Sequence, residues 1–454
     1  MKRVYIQTYG CQINQRDSER IVEVLRRLDY APTDRIEDAD MILLNTCSVR
    51  DKAEQKVYSA LGRLRELKDN KKGLIIGVGG CVAQQEGEDL LRRLPHLDLV
   101  FGTHNVHKLP QMVWEVENFS ARPAQLDFYR DPFYMEDPEG RTEVRGAKAL
   151  VTIMQGCDKV CSFCVVPYTR GREVSRPGEN ILSEIRELAR RGVREVILLG
   201  QNVNSYGKTS PGELTFPELL TRINDIEGLE RIRFSTSHPK DLSPELIEAY
   251  AGLERLCEHL HLPVQSGSDT VLRRMRRGYT RGEYMERIQR LQDRCPEVAL
   301  STDIIVGFPG ETEDEFEPTL EILREVAYDE IFAFMYSPRP QTVAAKIYRD
   351  DVPDEVKKER LEKVQRLQNE ISLRKNRGAI GDVEEILVEG PSKLKKEQIM
   401  GRTRTNKIVN AMGPESLTGR MAWVRIKGAT ANSLLGELVE ESPVSPTLEL
   451  RGVA

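Results

Sequence analysis

Short apolar runs alternate with amphipathic stretches along the first 115 residues. Three runs have the length and composition of buried strands, and they cover residues 4–8, 41–44 and 74–78. Apolar residues recur with helical spacing in the stretches between and after them, which predicts helices from about Asp17, over residues 52–67 and over residues 88–94. This alternation is typical of a parallel sheet covered by helices.

A second alternation of the same kind begins near Ala149. Six strand-like runs are separated by helix-like stretches, and they cover residues 149–154, 195–199, 231–234, 259–263, 298–306 and 330–335. Six such units predict a barrel or part of one, with its functional loops at the carboxyl ends of the strands. An amphipathic helix that starts near Val352 then leads out of this region.

The pattern changes again near Gly378. Four short strands separated by glycine and polar turns are predicted over residues 383–389, 398–403, 407–411 and 420–426, which indicates a small antiparallel β-barrel. The fold class is therefore α/β with a small β domain at the end. We expect an α/β domain over residues 1–117, a linker over 118–142, a barrel core over 143–376, the small barrel over 377–440 and a tail over 441–454.

Composition is that of an ordinary globular protein. The chain has 454 residues, of which 31% are charged and 39% hydrophobic, and its net charge is −5. No apolar run reaches the roughly 18 residues of a membrane span, and the first residues lack a signal-peptide core, so we expect a cytoplasmic protein that does not bind membranes. An acidic chain of this kind would bind nucleic acid only through local basic patches.

Three of the eight cysteines, Cys157, Cys161 and Cys164, are spaced Cys-x-x-x-Cys-x-x-Cys after the first strand of the second alternation. In a cytosolic chain of this length, such a pattern favours metal binding or catalysis over disulfides. Thiolates hold iron–sulfur clusters, and three of them leave one iron of a four-iron cubane open. The alternatives are a zinc site, which usually has a fourth Cys or His nearby, and three buried structural cysteines.

Three further cysteines, Cys11, Cys47 and Cys81, each follow one of the first three strands. The carboxyl ends of parallel strands share one edge of a sheet, so we expect these thiols to converge there. Three unrelated buried cysteines are the alternative. The glycines of residues 77–80 resemble part of a dinucleotide fingerprint, but its third glycine would fall at Val82, and no helix is predicted to open there. We interpret them as glycines that let the backbone approach a cluster at Cys81.

The cysteine motif within residues 153–171 resembles that of the radical S-adenosylmethionine (radical SAM) enzymes and, in its wider form, that of the methylthiotransferases. Residues 9–14, 45–50 and 79–81 resemble the three cysteine motifs of the methylthiotransferase amino-terminal domain, and residues 377–440 resemble the TRAM domain. The resemblance covers residues 1–440 and is closest to the MiaB-type branch, which acts on isopentenyladenosine in tRNA. Ile13, where methionine is common in the family, is a small departure that removes no ligand.

This resemblance implies an amino-terminal flavodoxin-like three-layer α/β domain, a central partial (β/α)6 radical SAM barrel and a carboxy-terminal TRAM β-barrel. It also implies two 4Fe–4S clusters, each with one open iron, held by the six cysteines named above. S-adenosylmethionine would bind the open iron of the barrel cluster and serve as methyl donor and radical source. The amino-terminal cluster would carry or supply the inserted sulfur. Cys257 and Cys295 are left over as core or surface thiols.

The reaction implied by the resemblance is attachment of a methylthio group to carbon 2 of isopentenyladenosine beside the anticodon of tRNA. The nearest alternative is the same chemistry on threonylcarbamoyladenosine in tRNA or on a ribosomal-protein aspartate. An alternative of another class is a non-catalytic iron–sulfur regulator that binds RNA. We expect as partners a tRNA anticodon stem-loop carrying isopentenyladenosine, a reducing protein such as a flavodoxin, and an iron–sulfur or sulfur donor. We expect a monomer.

Polar and glycine-containing loops follow nearly every predicted barrel strand, and their positions in the radical SAM superfamily imply contacts with the cofactor. The candidates are Gly200, Gln201 and Asn202 for its methionine part, Ser237, Gln265 and Ser266 for its ribose, and Val306 and Gly307 for its adenine. Basic runs at residues 141–176 and 273–281 suit a phosphate backbone. Together with residues 402–407, they provide the RNA-binding candidates Arg170, Arg172, Arg273, Arg276, Arg402, Arg404 and Lys407.

Overall fold

The structure is a computed structural model, and it describes residues 1–48, 51–135, 146–392 and 397–440, with the backbone alone for residues 51–54. Several predictions lie outside the described residues: those for linker residues 136–142, for basic residues 141–145, for residues 49–50 of the second cysteine motif and for the tail 441–454. Within the described ranges, no helix is long and apolar enough to cross a membrane.

Strands and helices alternate in the amino-terminal domain, as β1 (Lys2–Thr8), α1 (Gln12–Arg26), β2 (Tyr30–Pro32), β3 (Met41–Thr46), α2 (Asp51–Asn70), β4 (Ile75–Gly80), α3 (Cys81–Glu86), α4 (Glu88–Arg93), β5 (Leu99–Phe101), α5 (Leu109–Phe119) and β6 (Ala124–Gln125). The six strands are parallel, in the order β2-β1-β3-β4-β5-β6. Successive residues of β3 enter apolar clusters on opposite faces, Ile42 on one and Leu43 on the other. This is the expected three-layer, flavodoxin-like arrangement.

Three details of this domain differ from the prediction. Helix α1 begins at Gln12 and not near Asp17, and the short strands β2, β5 and β6 were not predicted because two or three residues give no periodic signal. Helix α3 opens at Cys81, so the prediction that no helix follows residues 77–80 is wrong. Gly80 nevertheless has a φ of +90°, and a Cβ there would lie 2.5 Å from the Thr46 carbonyl oxygen, so the position requires glycine.

The central region continues with β7 (Lys148–Thr152), β8 (Met154–Gln155), α6 (Val166–Thr169), β9 (Val174–Ser175), α7 (Gly178–Arg190), β10 (Glu195–Leu199), α8 (Phe216–Asn224), β11 (Arg231–Ser235), α9 (Pro244–Gly252), β12 (His259–His261), α10 (Asp269–Arg274), α11 (Arg281–Arg294), β13 (Ala299–Val306), α12 (Glu313–Val326), β14 (Glu330–Met335), α13 (Val343–Ile347) and α14 (Asp354–Gly378). Strands β7, β10 and β11 form one parallel sheet, and β12, β13 and β14 form another. A parallel bridge between Ile232 of β11 and Leu256, three residues before β12, links the two.

Together these six strands make the predicted partial barrel. Among the described residues no strand pairing closes β14 onto β7, and helix α1 of the amino-terminal domain packs against β7 at this open side. Ile232 and Phe234 of β11 enter the apolar core beneath the helices. Arg231 and Arg233 therefore point to the other face of the same strand, into the barrel.

A third domain consists of β15 (Val383–Pro391), β16 (Gln398–Thr403), β17 (Ile408–Met412), β18 (Met421–Ala429) and β19 (Leu434–Val439). They close into a barrel in the order β15-β16-β17-β19-β18, around a core that includes Ile386, Val409 and Ile426. The prediction missed β19. Because β19 pairs with β17 in parallel, the barrel is not purely antiparallel.

The small barrel docks on the amino ends of the large-barrel strands through the turn between β16 and β17. Arg231, the first residue of β11, donates to the Arg402 carbonyl at 2.7 Å, and Arg233 donates to the Arg404 carbonyl at 2.8 Å. The Arg404 guanidinium in turn pairs with Glu258, just before β12, at 2.6 Å. The small barrel therefore covers the end of the large barrel that lies opposite the cysteine loop.

Candidate active site

The three-cysteine loop of the large barrel follows β8 and is held in one shape. Gly156, which opens the loop, has a φ of +80°, and a Cβ there would lie 1.9 Å from the Arg172 carbonyl oxygen. The Cys157 amide donates to the Gly171 carbonyl at 3.2 Å. The three thiols are half-buried. They therefore lie at the carboxyl end of the first barrel strand, where barrel active sites are built.

These thiols share a poorly hydrated pocket with a buried cation. Burial raises the pKa of the Cys157 thiol to about 11 and that of the Cys164 thiol to about 12. The Arg277 guanidinium donates from Nη1 to the Cys161 sulfur at 3.3 Å, and the Pro263 carbonyl accepts from its Nη2 at 2.6 Å. Thiolates in this pocket need positive charge nearby, which suits the binding of iron. Sequence reasoning missed Arg277, since nothing distinguishes it within its arginine-rich run.

Cys11, Cys47 and Cys81 lie at the carboxyl edge of the amino-terminal sheet. Cys11 precedes α1, Cys47 follows β3 and Cys81 opens α3. A Cβ on Gly10 would lie 3.1 Å from the Cys47 sulfur, so these two cysteine segments are in contact. Burial raises the pKa of the Cys81 thiol, Arg170 opposes that rise, and the neighbouring Cys11 adds to it. The three cysteines are thus neighbours, and their role as cluster ligands stays a prediction.

Each cysteine set supplies three thiolates, the number that leaves one iron of a four-iron cubane open. Among the described residues, no three His, Cys, Asp or Glu side chains come close enough to hold one ion. A four-iron cubane needs a wider spread of ligands, because each thiolate binds a different iron. The two remaining cysteines, Cys257 and Cys295, are buried in the large barrel and belong to neither set.

The segment after Cys164 joins the two cysteine sets. The Arg170 side chain extends from the large barrel toward the amino-terminal domain. Its guanidinium pairs with Asp17 of α1, with Nη2 at 2.6 Å from Oδ2. Arg170 is only 3% exposed, so the prediction that it contacts RNA is wrong. A run of basic residues in a sequence does not show which of them face solvent.

Four of the predicted cofactor contacts carry unpaired polar atoms. Gln201 Nε2, Asn202 Oδ1, Ser237 Oγ and Gln265 Oε1 are buried and have no hydrogen-bond partner within the described part of the chain. Buried polar groups are nearly always paired, so unpaired ones indicate a place for a ligand. Gln201 also accepts from the Gly156 amide, which ties its loop to the three-cysteine loop. The arrangement fits the polar methionine and ribose parts of S-adenosylmethionine.

The other four cofactor candidates are occupied by packing contacts. A Cβ would lie 2.4 Å from a neighbouring side-chain atom at Gly200 and 2.3 Å from one at Gly307. The Ser266 hydroxyl accepts from a backbone amide two residues on at 3.2 Å, and the Val306 carbonyl accepts from the amide that follows β14 at 2.8 Å. Contact of these four with the cofactor stays a prediction.

Several polar residues beside these loops were not identified from the sequence. Asp241 accepts from Lys159 and from Asn202, each at 2.7 Å, and although burial opposes the shift, these hydrogen bonds lower its pKa to about 2. Glu173 accepts from Ser205 Oγ at 2.7 Å, and burial raises its pKa to about 6. Their position in the sequence is the signal that could have identified them, since each lies near the cysteine motif or in a loop after a barrel strand.

Three predicted RNA contacts, Arg402, Arg404 and Lys407, lie at the docking surface of the small barrel. Besides the Arg404 ion pair described above, Lys407 Nζ lies 3.3 Å from Asp329, and Arg402 Nε lies 3.2 Å from Glu389. These carboxylates offset the charge of all three side chains, which are partly exposed, and contact of these residues with RNA stays a prediction. The remaining RNA candidates are exposed and stay a prediction: Arg172, Arg273 and Arg276.

A cavity of about 430 Å³ lies away from this site, between α1 and the open side of the large barrel. Gln12, Glu19, Lys148 and Leu150 are among the residues that line it. None of the six cysteines and none of the predicted cofactor contacts does so. The cavity belongs to the domain junction and not to the candidate active site.

Comparison with known proteins first shows which class of protein this chain belongs to. The sequence model of the radical SAM superfamily matches residues 151–323, that of the TRAM domain matches residues 379–439, and that of an uncharacterized protein family, UPF0004, matches residues 3–102. The radical SAM methyltransferase TsrM from Kitasatospora setae has the same fold over 76% of this chain and 75% of its own, with a TM-score of 0.56 at 13% identity. The chain is therefore a radical SAM protein, whose cofactors are S-adenosylmethionine and 4Fe–4S clusters.

Full-length relatives define the particular family. The tRNA-2-methylthio-N(6)-dimethylallyladenosine synthase of Geobacter metallireducens is 53% identical, over 96% of this chain and 98% of that protein. The synthase of the same name from Geobacter sulfurreducens is 51% identical, over 97% of this chain and 98% of that protein. This chain belongs to the tRNA-2-methylthio-N(6)-dimethylallyladenosine synthase family. The family resemblance inferred from the cysteine motifs is therefore confirmed.

Proposed function

We propose that this chain attaches a methylthio group to carbon 2 of N(6)-dimethylallyladenosine, which is isopentenyladenosine, beside the anticodon of tRNA. Support comes from the relatives that carry this name at about half identity over nearly the whole chain. The observation that carries the proposal is the ion pair at 2.6 Å between Arg170, in the segment after the three-cysteine loop, and Asp17, in the helix that follows Cys11. One set suits radical chemistry and the other suits sulfur supply, and both serve a single reaction.

The chemistry explains why two such sites are needed. Carbon 2 of adenine carries an unactivated C–H bond, which ordinary acid–base groups do not break. When bound, the cofactors supply a carbon radical strong enough for that bond, together with the sulfur and the methyl group. The target base lies in a single-stranded loop, so presenting it to a pocket costs only a few kcal/mol.

The protein contributes binding, orientation and exclusion of water. The Cys157 loop would hold one cluster, with Arg277 balancing the charge of its thiolates. Gln201, Asn202 and Ser237 would orient the S-adenosylmethionine with the polar atoms that have no partner among the described residues. Cys11, Cys47 and Cys81 would hold the second cluster. No other catalytic side chain is assigned.

The location, partners and domain limits follow from this proposal. We propose a cytoplasmic location, where tRNA would be the substrate, a flavodoxin-like protein would supply electrons and an iron–sulfur or sulfur donor would renew the amino-terminal cluster. We propose a monomer, because one chain supplies all six cysteines and the site needs no residue from a second copy. We also keep the domain limits proposed above, 1–117, 118–142, 143–376 and 377–440, although β6 of the amino-terminal sheet lies within the linker segment.

The proposal is tested by mass spectrometry of nucleosides from bulk tRNA, in cells that lack this protein and in the same cells with it restored. Loss of methylthio-isopentenyladenosine with accumulation of isopentenyladenosine, reversed on restoration, is the expected result. If methylthio-threonylcarbamoyladenosine disappeared instead, the substrate assignment would be wrong while the chemistry stood. If both persisted, a ribosomal-protein aspartate would be the next target to examine.

A further inference from the structure

Arg170 occupies a position that neither cysteine motif explains. It follows α6, six residues after the last cysteine of the large-barrel set, yet its side chain enters the amino-terminal domain. Two hydrogen bonds hold its segment there: the Thr103 hydroxyl donates to the Thr169 carbonyl at 2.7 Å, and His104 Nε2 lies 2.9 Å from the Arg170 carbonyl. The backbone at Arg170 is therefore fixed against the loop that follows β5.

The state of His104 strengthens this attachment. The Tyr129 amide donates to His104 Nδ1 at 3.1 Å, so Nε2 carries the proton that is given to the Arg170 carbonyl. Burial lowers the pKa of His104 to about 4, so the ring is neutral near pH 7 and adds no charge beside the guanidinium. Of the side chains of Thr103, His104 and Arg170, which lie at this attachment, only that of Arg170 is charged.

The guanidinium itself faces the amino-terminal cysteines. Its Nη2 donates to Asp17 Oδ2 at 2.6 Å and lies 3.4 Å from Asn14 Oδ1, and Cys81 is also within its reach. Its Nη1 is buried and has no hydrogen-bond partner among the described residues. Leaving a buried, charged donor unpaired is costly, so an acceptor at this place is expected.

We propose that Arg170 is a positioning residue for the amino-terminal iron–sulfur cluster, to which Nη1 donates a hydrogen bond at a sulfur atom. The inference rests on the proposed function only in assuming that a cluster binds the three cysteines there. Hydrogen bonds and net charge around the sulfurs set a cluster's reduction potential, and a nearby cation raises it. Asp17 holds the guanidinium in place and partly offsets its charge.

The test is a reduction-potential titration followed by electron paramagnetic resonance, on the full chain with only the amino-terminal cluster present. Replacing Cys157, Cys161 and Cys164 together by Ala removes the other cluster and provides the parent protein. In that parent, Arg170→Gln is expected to lower the potential, Arg170→Lys to lower it less, and Asp17→Asn to raise it. Arg277→Gln is the matched control, because Arg277 lies in the large-barrel site, from which the parent's substitutions remove the cluster, and does not contact the amino-terminal set. Its potential is expected to equal that of the parent.

Equal potentials for Arg170→Gln and the parent, at equal iron and sulfide content, would overturn the proposal. So would an equal shift in the Arg277→Gln control. If Arg170→Gln failed to retain iron, the opposite shifts expected of Arg170→Lys and Asp17→Asn decide the question, and shifts of the same sign would overturn it. The measurement uses no RNA, so its outcome is independent of which nucleoside the enzyme modifies.

Discussion

Replacing Arg231 by Met tests whether the small barrel depends on a buried guanidinium for its position. The Arg231 side chain is fully buried, and it donates to the Arg402 carbonyl at 2.7 Å, to the Glu385 carbonyl at 2.9 Å and to the Glu385 carboxylate at 2.9 Å. Methionine has a similar length and fills much of the same volume without donating. The substitution therefore removes the hydrogen bonds while leaving most of the packing.

The expected loss of stability follows from the groups left unpaired. A buried acceptor without a partner costs about 1–3 kcal/mol, and breaking a buried ion pair by removing one partner costs about 3–5 kcal/mol. The Glu385 side chain is 27% exposed, so water would recover part of its loss. We therefore expect a loss of about 3 kcal/mol, which corresponds to a fall in Tm of about 6–12 °C for a unit of 150–250 residues.

The assay is thermal unfolding, combined with limited proteolysis of the segment between α14 and β15. Arg194→Gln is the matched control, because Arg194 pairs with Glu230 at the surface of the same strand end, with exposed fractions of 46% and 34%. An exposed pair of this kind contributes about 0–1 kcal/mol. If Arg231→Met melted at the same temperature as Arg194→Gln and resisted protease equally, the docking described here would not depend on Arg231.

Three further predictions concern the cysteine sites and their surroundings. Cys161→Ala is expected to abolish reductive cleavage of S-adenosylmethionine, whereas Cys47→Ala should spare cleavage, measured as 5′-deoxyadenosine, and stop sulfur insertion; full methylthio product from Cys47→Ala would contradict the two-cluster assignment. Gly156→Ala should lower the iron content, since its Cβ would lie 1.9 Å from a backbone oxygen, while Gly62→Ala, where no atom lies within 4 Å, should bind iron normally. The folded-state pKa of His104, about 4, lies below its ordinary 6.5, so about 3 kcal/mol of stability present above pH 6.5 is lost as the pH falls to 4. Thermal unfolding across this range should show a flatter pH dependence for His104→Gln, and an unchanged slope would refute the assignment.

Much of the fold could be predicted because its long elements carry a clear periodic signal. Strands β10 and β14 have the predicted bounds, Glu195–Leu199 and Glu330–Met335, since each is an apolar or alternating run between polar turns. Strand β19 was missed because Leu434–Val439 follows a polar turn without a strong alternation of apolar residues. Short elements such as β2 form only because a neighbouring strand is present to pair with them.

The candidate site could be predicted in part. A cysteine is placed by the strand that precedes it, so topology alone brought Cys11 and Cys81 to one edge of a sheet. Charged residues could not be placed in this way. Arg170 pairs with a carboxylate 153 residues away and Arg404 with one 146 residues away, and neither partner can be found by inspecting the local sequence.

The central claim is tested most directly with the purified, iron–sulfur-reconstituted protein, S-adenosylmethionine, a chemical reductant and two anticodon stem-loop RNAs. One RNA carries isopentenyladenosine and the other carries threonylcarbamoyladenosine at the same position. We predict that mass spectrometry will detect the 2-methylthio product on the first RNA only, together with 5′-deoxyadenosine and S-adenosylhomocysteine. A product on the second RNA alone, or neither product from protein with both clusters loaded, would contradict the account.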